Sequence, residues 1–522
     1  MNRQLVLVCA SAGLALSVAC GPKQPSAAQR LAQARASAQA RVLDGCYTCL
    51  LEAREIYAGV AVGKVRASLI VPMFEVELLI NLRERELAID WADSLGRAKA
   101  LLAELPKDVD GARYVAAVEA ITPDALGVAQ SDTRAYRASQ QAYRSRVNDE
   151  IAWLEAGPLQ PAVRQYLSLS IDCEYSSRPR GNLPPLPQVN QPVPAGTPPL
   201  LVYRLATCDH INSVALEQLE ASSPAYVEAS AYRARLEVGL AQQTGGALAR
   251  TLLAKTYAQF PRSSSMTYLN GSFNQTIGDC RAALRFYDET LALRPNHENA
   301  LLGRTICLVY LNRPDEAIAS ATHMIDLRTY NIADAYFWRA WIYHDRQQLP
   351  IAREDINRAK SLASNNSIHR LAGIIEHDQD DLDIAEKDLL AAKSDSGGQQ
   401  DCVARWYLAL VAVKRERWPD AAGHFEDAMR CYNTAAMLSE LALERMEANT
   451  QIDPEFKARQ IEGFQAAIKS DRGQYHAAAF NAANNFARVG NLEKARPLLE
   501  IAAKDPALEK PVAELRKIIG GG

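Results

Sequence analysis

The stretch that decides the fold reads CRAALRFYDETLALRP at residues 280–295, PDEAIASATHMIDLRT at 314–329 and LPIAREDINRAKSL at 349–362. Each segment repeats one pattern of small and apolar residues at offsets of 0, 4 and 7 positions: Ala283, Tyr287 and Thr290; Ala317, Ala321 and Met324; Ala352, Ile356 and Ala359. These offsets lie on one face of a helix. A small residue stands twelve positions before each first alanine, where a second helix can cross closely: Gly271, Thr305 and Ala340. The pattern therefore predicts packed helix pairs that recur along the chain.

The same frame continues in both directions. Its key alanines are Ala249, Ala283, Ala317, Ala352, Ala385, Ala421 and Ala495. The first intervals between them are 34, 34, 35, 33 and 36 residues. The last interval, of 74 residues, is predicted to hold two units, and the middle one is degenerate because Lys457 stands where alanine is expected. A period of about 34 residues is typical of a helix–turn–helix solenoid.

This pattern resembles the tetratricopeptide repeat (TPR) family. The resemblance implies an all-α fold, a right-handed α-solenoid of antiparallel helix pairs, and a partner-binding concave groove lined by the first helix of each pair. Carried onto this frame, the groove positions are Tyr268, Leu302, Phe337, Trp341, His344, Arg370, His377, Trp406, Leu410, Phe480 and Asn484. Aromatic rings with a few cationic and amide groups suit an extended peptide. Each ring has a second interpretation, in which it fills the core between repeats.

Composition and charge restrict the classes of function. The chain has 522 residues, 23% of them charged, and a formal net charge of −3. With this balance and without basic runs, no bulk attraction to nucleic acid is expected. The sequence contains no glycine-rich phosphate loop, no G-x-S-x-G elbow and no H-E-x-x-H motif. We therefore predict no catalytic residue and no cofactor.

The N-terminus has the pattern of an export signal. Residues 1–19 combine Arg3, an apolar run and a small-residue cleavage site, which is typical of a signal peptide. Cys20 follows Leu16-Ser17-Val18-Ala19, which resembles a bacterial lipobox with serine in place of the usual leucine. That resemblance implies lipidation of Cys20, a tether over 20–28 and an outer-membrane lipoprotein facing the periplasm. The alternative is an ordinary secretory peptide cut at the same bond.

Three regions follow the tether. Residues 29–175 are predicted to form a helical domain with degenerate TPR-like repeats, and residues 210–519 the main array. Between them, residues 176–209 are rich in proline, which disfavours helix interiors and favours extended backbone. We interpret this segment as a semi-rigid linker, with a docking motif for a proline-reading partner as the alternative.

Ten cysteines are present, and eight remain when Cys9 of the signal peptide and the lipidation candidate Cys20 are set aside. An even number of cysteines in an exported protein predicts disulfides. In the repeat frame, the antiparallel helices bring together Cys402 and Cys431, and likewise Cys280 and Cys307. Cys173 and Cys208 flank the proline-rich segment and are predicted to clamp its ends together.

Two short motifs suggest chemistry and need a structural context. Cys46-Tyr47-Thr48-Cys49 is a C-x-x-C in a helical setting, so a local disulfide or inert pair is favoured over a redox site or pairing elsewhere. His344-Asp345 and His377-Asp378 lie 33 residues apart at the same repeat position. They are therefore expected on successive repeats, roughly 10 Å apart, and we predict no metal site.

The leading hypothesis is a non-catalytic, lipid-anchored scaffold of the bacterial envelope that binds envelope or periplasmic proteins or peptides. Two alternatives remain. An accessory subunit of a solute transporter would show ring-shaped self-assembly. A thiol oxidoreductase using Cys46 and Cys49 would show a lowered thiol pKa.

Overall fold

The computed structural model describes residues 26–89, 92–121, 147–175, 192–208, 212–244, 246–394, 401–450, 452 and 454–520. Within these ranges every regular element is a helix and no strand occurs. The all-α solenoid predicted from the repeats is therefore confirmed. The signal peptide, Cys20 and residues 176–191 of the proline-rich segment lie outside the described residues.

The N-terminal region is a set of packed helix pairs. Its helices are α1 (Ala27–Asp44), α2 (Tyr47–Val60), α3 (Ile70–Glu86), α4 (Ala92–Leu101), α5 (Gly111–Ala120), α6 (Val147–Ala156), α7 (Pro161–Tyr175), α8 (Pro199–Thr207) and α9 (Ser213–Ser222). Helix α1 begins inside the predicted tether, because Ser26 and Gln29 form a reciprocal capping box. One apolar core extends through this region from Ala38 to Ala229.

The structure differs from the predicted linker at its C-terminal end. Residues 199–207 form helix α8, in which Pro199 occupies the first turn, a position that proline tolerates. Leu200 and Tyr203 are fully buried in the N-terminal core. Proline density alone could not show this, since the apolar sequence after Pro199 determines the packing.

A buried arginine holds the N-terminal helices together. The Arg83 side chain on α3 is 1% exposed. Its guanidinium donates to the Tyr166 and Tyr226 hydroxyls, at 2.8 Å each, and lies 3.9 Å from the centre of the Tyr203 ring. Its counter-ion is Glu86, with Nη1 and Oε2 2.7 Å apart. A single charged group therefore connects segments that are far apart in sequence.

The main array pairs first and second helices. The pairs are α10 (Val227–Thr244) with α11 (Ala247–Gln259), α12 (Ser264–Thr276) with α13 (Cys280–Leu293), α14 (Glu298–Tyr310) with α15 (Pro314–Asp326), α16 (Ile332–Asp345) with α17 (Leu349–Leu362), α18 (Asn366–Asp378) with α19 (Leu382–Ser394) and α20 (Cys402–Lys414) with α21 (Trp418–Ala448). The chain continues through α22 (Pro454–Arg488), α23 (Leu492–Ala502) and α24 (Glu509–Gly520).

The small residues of the repeat frame have a visible packing role. Tyr287 on α13 is 2% exposed and lies between the first helices α12 and α14. A Cβ atom at Gly271 would lie 2.6 Å from this ring, and one at Gly303 would lie 2.4 Å from it. Only glycine therefore fits at these two crossings without movement of the tyrosine.

The predicted degenerate repeat between Ala421 and Ala495 is absent. Instead, α21 and α22 extend to 31 and 35 residues and form one long antiparallel hairpin. At its tip Ile452 is 8% exposed and Phe456 is fully buried. Both belong to an apolar cluster with Val238, Leu252 and other residues at the start of the array. The repeat pattern predicted an alanine at position 457, but Lys457 lies on the hairpin. There it caps α21 by donating to the backbone carbonyls of Glu447 and Asn449.

Three disulfides link described cysteines: Cys46–Cys49, Cys173–Cys208 and Cys402–Cys431. The predicted Cys280–Cys307 bond is not present, and this prediction needs correction. The repeat register does bring the two side chains together, since the Cys307 thiol forms a hydrogen bond to Cys280 that lowers the pKa of Cys280. The two residues are a hydrogen-bonded pair of free thiols in this structure.

Candidate interaction groove

A run of cavities follows the first helices of the array. A cavity of about 340 Å³ lies between α12 and α14, and a cavity of about 540 Å³ lies between α14, α16 and the start of α18. Leu302 and Ile306 on α14 line both. The two cavities therefore form one continuous depression across three successive repeats, which we call the groove.

Two aromatic side chains of α16, Phe337 and Trp338, line the far wall of the groove. Phe337 lines the larger cavity and is 9% exposed. Trp341, one helical turn further along α16, is 40% exposed. Their ring centres are 6.4 Å apart. Phe337 thus belongs partly to the core, whereas Trp341 leaves much of a large ring open to solvent.

Trp406 lies in a different environment from Trp341, although the sequence placed both in the groove. Its ring lies 5.2 Å from Phe425 in an edge-to-face arrangement. It also packs against the clusters that contain Tyr432 and Ala478. Leu410 and Phe480 pack into the same C-terminal core. Trp406 is half-buried and is mainly a packing residue, because the long hairpin helices pack against it.

Two predicted groove histidines share one carboxylate. His344 Nε2 lies 2.8 Å from Asp378 Oδ2, and His377 Nδ1 lies 2.8 Å from Asp378 Oδ1. The two histidines were expected on successive repeats, roughly one helix-packing distance apart. Asp378 bridges this distance by contacting both rings. Among the described residues there is no group of three or more His, Cys, Asp or Glu side chains suited to a metal ion. The bridge connects successive repeats.

Arg370 and Asn484 are the two remaining polar residues predicted to line the groove. Arg370 Nη1 donates to Asp401 Oδ2 at 2.8 Å, and Asp401 in turn caps α20 through the Ala404 N–H. Asn484 on α22 is half-buried. Arg370 is therefore already paired, and its guanidinium is less available to a partner than the sequence suggested.

Tyr268 is positioned at the opposite end of the groove. Its ring lies 4.9 Å from the imidazole of His297. His297 caps α14, since its Nδ1 accepts from the Ala300 N–H at 3.2 Å. Burial lowers the pKa of His297 to about 4, so the ring is neutral near pH 7 and can accept this bond.

The C-x-x-C motif is closed to solvent. Cys46 is fully buried and Cys49 is 5% exposed, and the two form a disulfide at the start of α2. Thiol–disulfide exchange needs access of an attacking thiolate to a sulfur atom. This burial favours a structural role over the redox alternative.

Sequence reasoning missed one cavity, which lies at the junction of the N-terminal region and the array. It has a volume of about 320 Å³ and shares Tyr268, Ser272 and Asn299 with the groove. Its other walls come from α3, α8 and α10, which no repeat pattern connects.

None of the described helices is long and apolar enough to cross a bilayer.

No protein-family model and no curated protein sequence matches the chain. Among solved structures, YrrB, a TPR protein with an unusual peptide-binding site, is 17% identical over 34% of this chain and 91% of its own, with a TM-score of 0.30. The Cut9–Hcn1 hetero-tetramer of APC/C is 11% identical over 90% of this chain and 93% of its own, with a TM-score of 0.38. The human IFIT1 dimer with PPP-AAAA is 11% identical over 90% of this chain and 94% of its own, with a TM-score of 0.35. The order, spacing and packing of its own helix pairs make the array a TPR-like α-solenoid.

Proposed function

We propose that this chain is a non-catalytic scaffold that binds a protein or peptide segment along the groove formed by α12, α14 and α16. The observation that carries the proposal is the exposed Trp341 ring, whose centre lies 6.4 Å from that of Phe337, which lines the larger cavity together with Leu302. A large exposed ring next to a concave apolar surface is typical of an interaction site.

Photo-crosslinking from two positions of one repeat tests the groove. A photoreactive amino acid replaces either Trp341 on the first helix or Ile351 on the second helix, which are 40% and 46% exposed. We expect specific adducts in cells from position 341 and none from position 351. Equal adducts from both positions, or none from position 341, would contradict the proposal.

We further propose that the scaffold is anchored at the bacterial outer membrane, facing the periplasm, through acyl chains on Cys20. The support is the lipobox-like sequence Leu16-Ser17-Val18-Ala19-Cys20. Helix α1 begins at Ala27, so the N-terminal region would stand close to the membrane surface. Partners would accordingly be envelope or periplasmic proteins.

Cys20→Ala is expected to move the mature protein from the membrane fraction to the soluble periplasmic fraction. Stable anchoring needs two or more chains, each contributing about 0.8 kcal/mol per buried CH₂, and the variant has no site for them. Fractionation and mass spectrometry of the N-terminal peptide measure both effects. Cys9→Ala is the matched control, because it removes a cysteine of the signal peptide and leaves Cys20. A wild-type protein that is soluble and unacylated would refute the anchor.

A further inference from the structure

The cavity at the junction of the N-terminal region and the array has the dimensions of a small-molecule site. It encloses about 320 Å³ between the end of α3, α8, α10 and α12. Ligand pockets typically have volumes from about 300 Å³ upward and are lined mainly by apolar and aromatic side chains with a few polar groups. Tyr203, Tyr232, Met266 and Leu269 provide such walls here.

One polar group in the wall lacks a partner. Ser265 is 4% exposed, and its hydroxyl makes no hydrogen bond to any residue that the structure describes. Buried hydroxyls nearly always have a partner, because leaving one unsatisfied costs roughly 1–3 kcal/mol. The oxygen is itself buried, so it would bond to an occupant only after the side chain turns toward the cavity.

Three charged residues line the cavity, and they differ in whether an ion pair or a hydrogen bond within the protein satisfies them. The Glu86 carboxylate is paired with Arg83 at 2.7 Å and accepts from the Tyr203 hydroxyl at 3.1 Å. Glu228 accepts from the backbone N–H of Tyr47, and burial raises its pKa, which favours the neutral form. Arg235 on α10 is exposed and forms no ion pair within the described part of the chain. The uncompensated charge of the lining is therefore positive.

We propose that this cavity binds a compact apolar group that carries a carboxylate, with the apolar part among the tyrosine, methionine and leucine side chains and the carboxylate at Arg235. A guanidinium is well suited to a carboxylate because it presents a planar pair of N–H donors. The ligand is either a free medium-chain carboxylic acid or the apolar C-terminal residue of a peptide. The site goes beyond the proposed scaffold role and does not depend on it.

Calorimetric titration of the mature full-length chain tests the site. The probes are decanoate, decan-1-ol and an acetylated tripeptide ending in leucine, either with a free carboxylate or as its amide. We expect at least one carboxylate probe to bind, about tenfold more tightly than its neutral counterpart, as loss of a charge-assisted hydrogen bond implies. Binding of decanoate or of the free-acid tripeptide identifies which source supplies the carboxylate.

Arg235→Gln is expected to weaken binding of the carboxylate probe about tenfold and to leave binding of its neutral counterpart unchanged. The matched control is Arg281→Gln, an exposed arginine on α13 that does not line the cavity, and it should bind as the wild type does. The proposal is overturned if neither carboxylate binds, if each binds no better than its neutral counterpart, or if Arg235→Gln and Arg281→Gln behave alike.

Discussion

Replacing Arg83 with methionine is expected to destabilise the N-terminal helices by about 3–5 kcal/mol, the cost of breaking a buried ion pair by removing one partner. The variant leaves the Glu86 carboxylate, whose side chain is 10% exposed, without its counter-ion. It also removes the donors to Tyr166 and Tyr226 and the contact with the Tyr203 ring. No other described cation forms an ion pair with Glu86.

Hydrogen exchange measures this effect locally, which matters because a chain with several packed regions need not unfold in one step. Amides of α3 and α7 should lose about two to three orders of magnitude of protection. The control is Arg41→Met, whose ion pairs with Asp44 and Glu52 are exposed and should contribute at most about 1 kcal/mol. Removing both partners, as in Arg83→Met with Glu86→Gln, should recover part of the loss. Equal protection in Arg83→Met and Arg41→Met would show that the buried pair does not hold these helices.

The repeat architecture was predictable because its determinants are local. Ala283, Ala317 and Ala352 are fully buried at the helix crossings that the offsets indicated. Their spacing expresses helical periodicity, and each helix pair packs mainly on its neighbours in the chain. A sequence pattern that repeats every few tens of residues therefore contains most of the information that the array needs.

Features that depend on distant segments could not be predicted in this way. The Arg83 cluster joins residues from Gly45 to Tyr226, and the hairpin tip at Phe456 reaches the cluster around Val238. Neither contact has a periodic signature, since each is formed by residues that meet once. The junction cavity has the same origin: its walls come from helices that are packed together by tertiary contacts alone.

The two tryptophans show how far the repeat frame locates a functional side chain. The frame places Trp341 and Trp406 on the groove-facing side of first helices, 11 residues before Ala352 and 15 residues before Ala421 respectively. The hairpin helices then pack against Trp406 and leave it half-buried, whereas no equivalent extension follows α16. Helical offset predicts the face on which a residue lies, and the neighbouring elements decide whether that face stays exposed.

Trp341→Ala is therefore expected to weaken partner binding by about 2 kcal/mol, as for a hot-spot residue, with little change in stability. Trp406→Ala should have the opposite effect, a loss of about 3–5 kcal/mol of stability, because it leaves a cavity against Phe425 and Tyr432. Its binding should fall only in proportion to the unfolded fraction.

Melting curves and titrations with the crosslinked partner, measured on both variants, separate the two roles. Binding affinity is calculated per folded molecule, so that instability does not count as lost binding. The Trp341 ring lies 6.4 Å from Phe337, so a small drop in melting temperature is compatible with a groove role. A large drop in melting temperature with unchanged affinity per folded molecule would assign Trp341 to the core as well. The α-solenoid would then remain, and its binding surface would have to lie outside the groove.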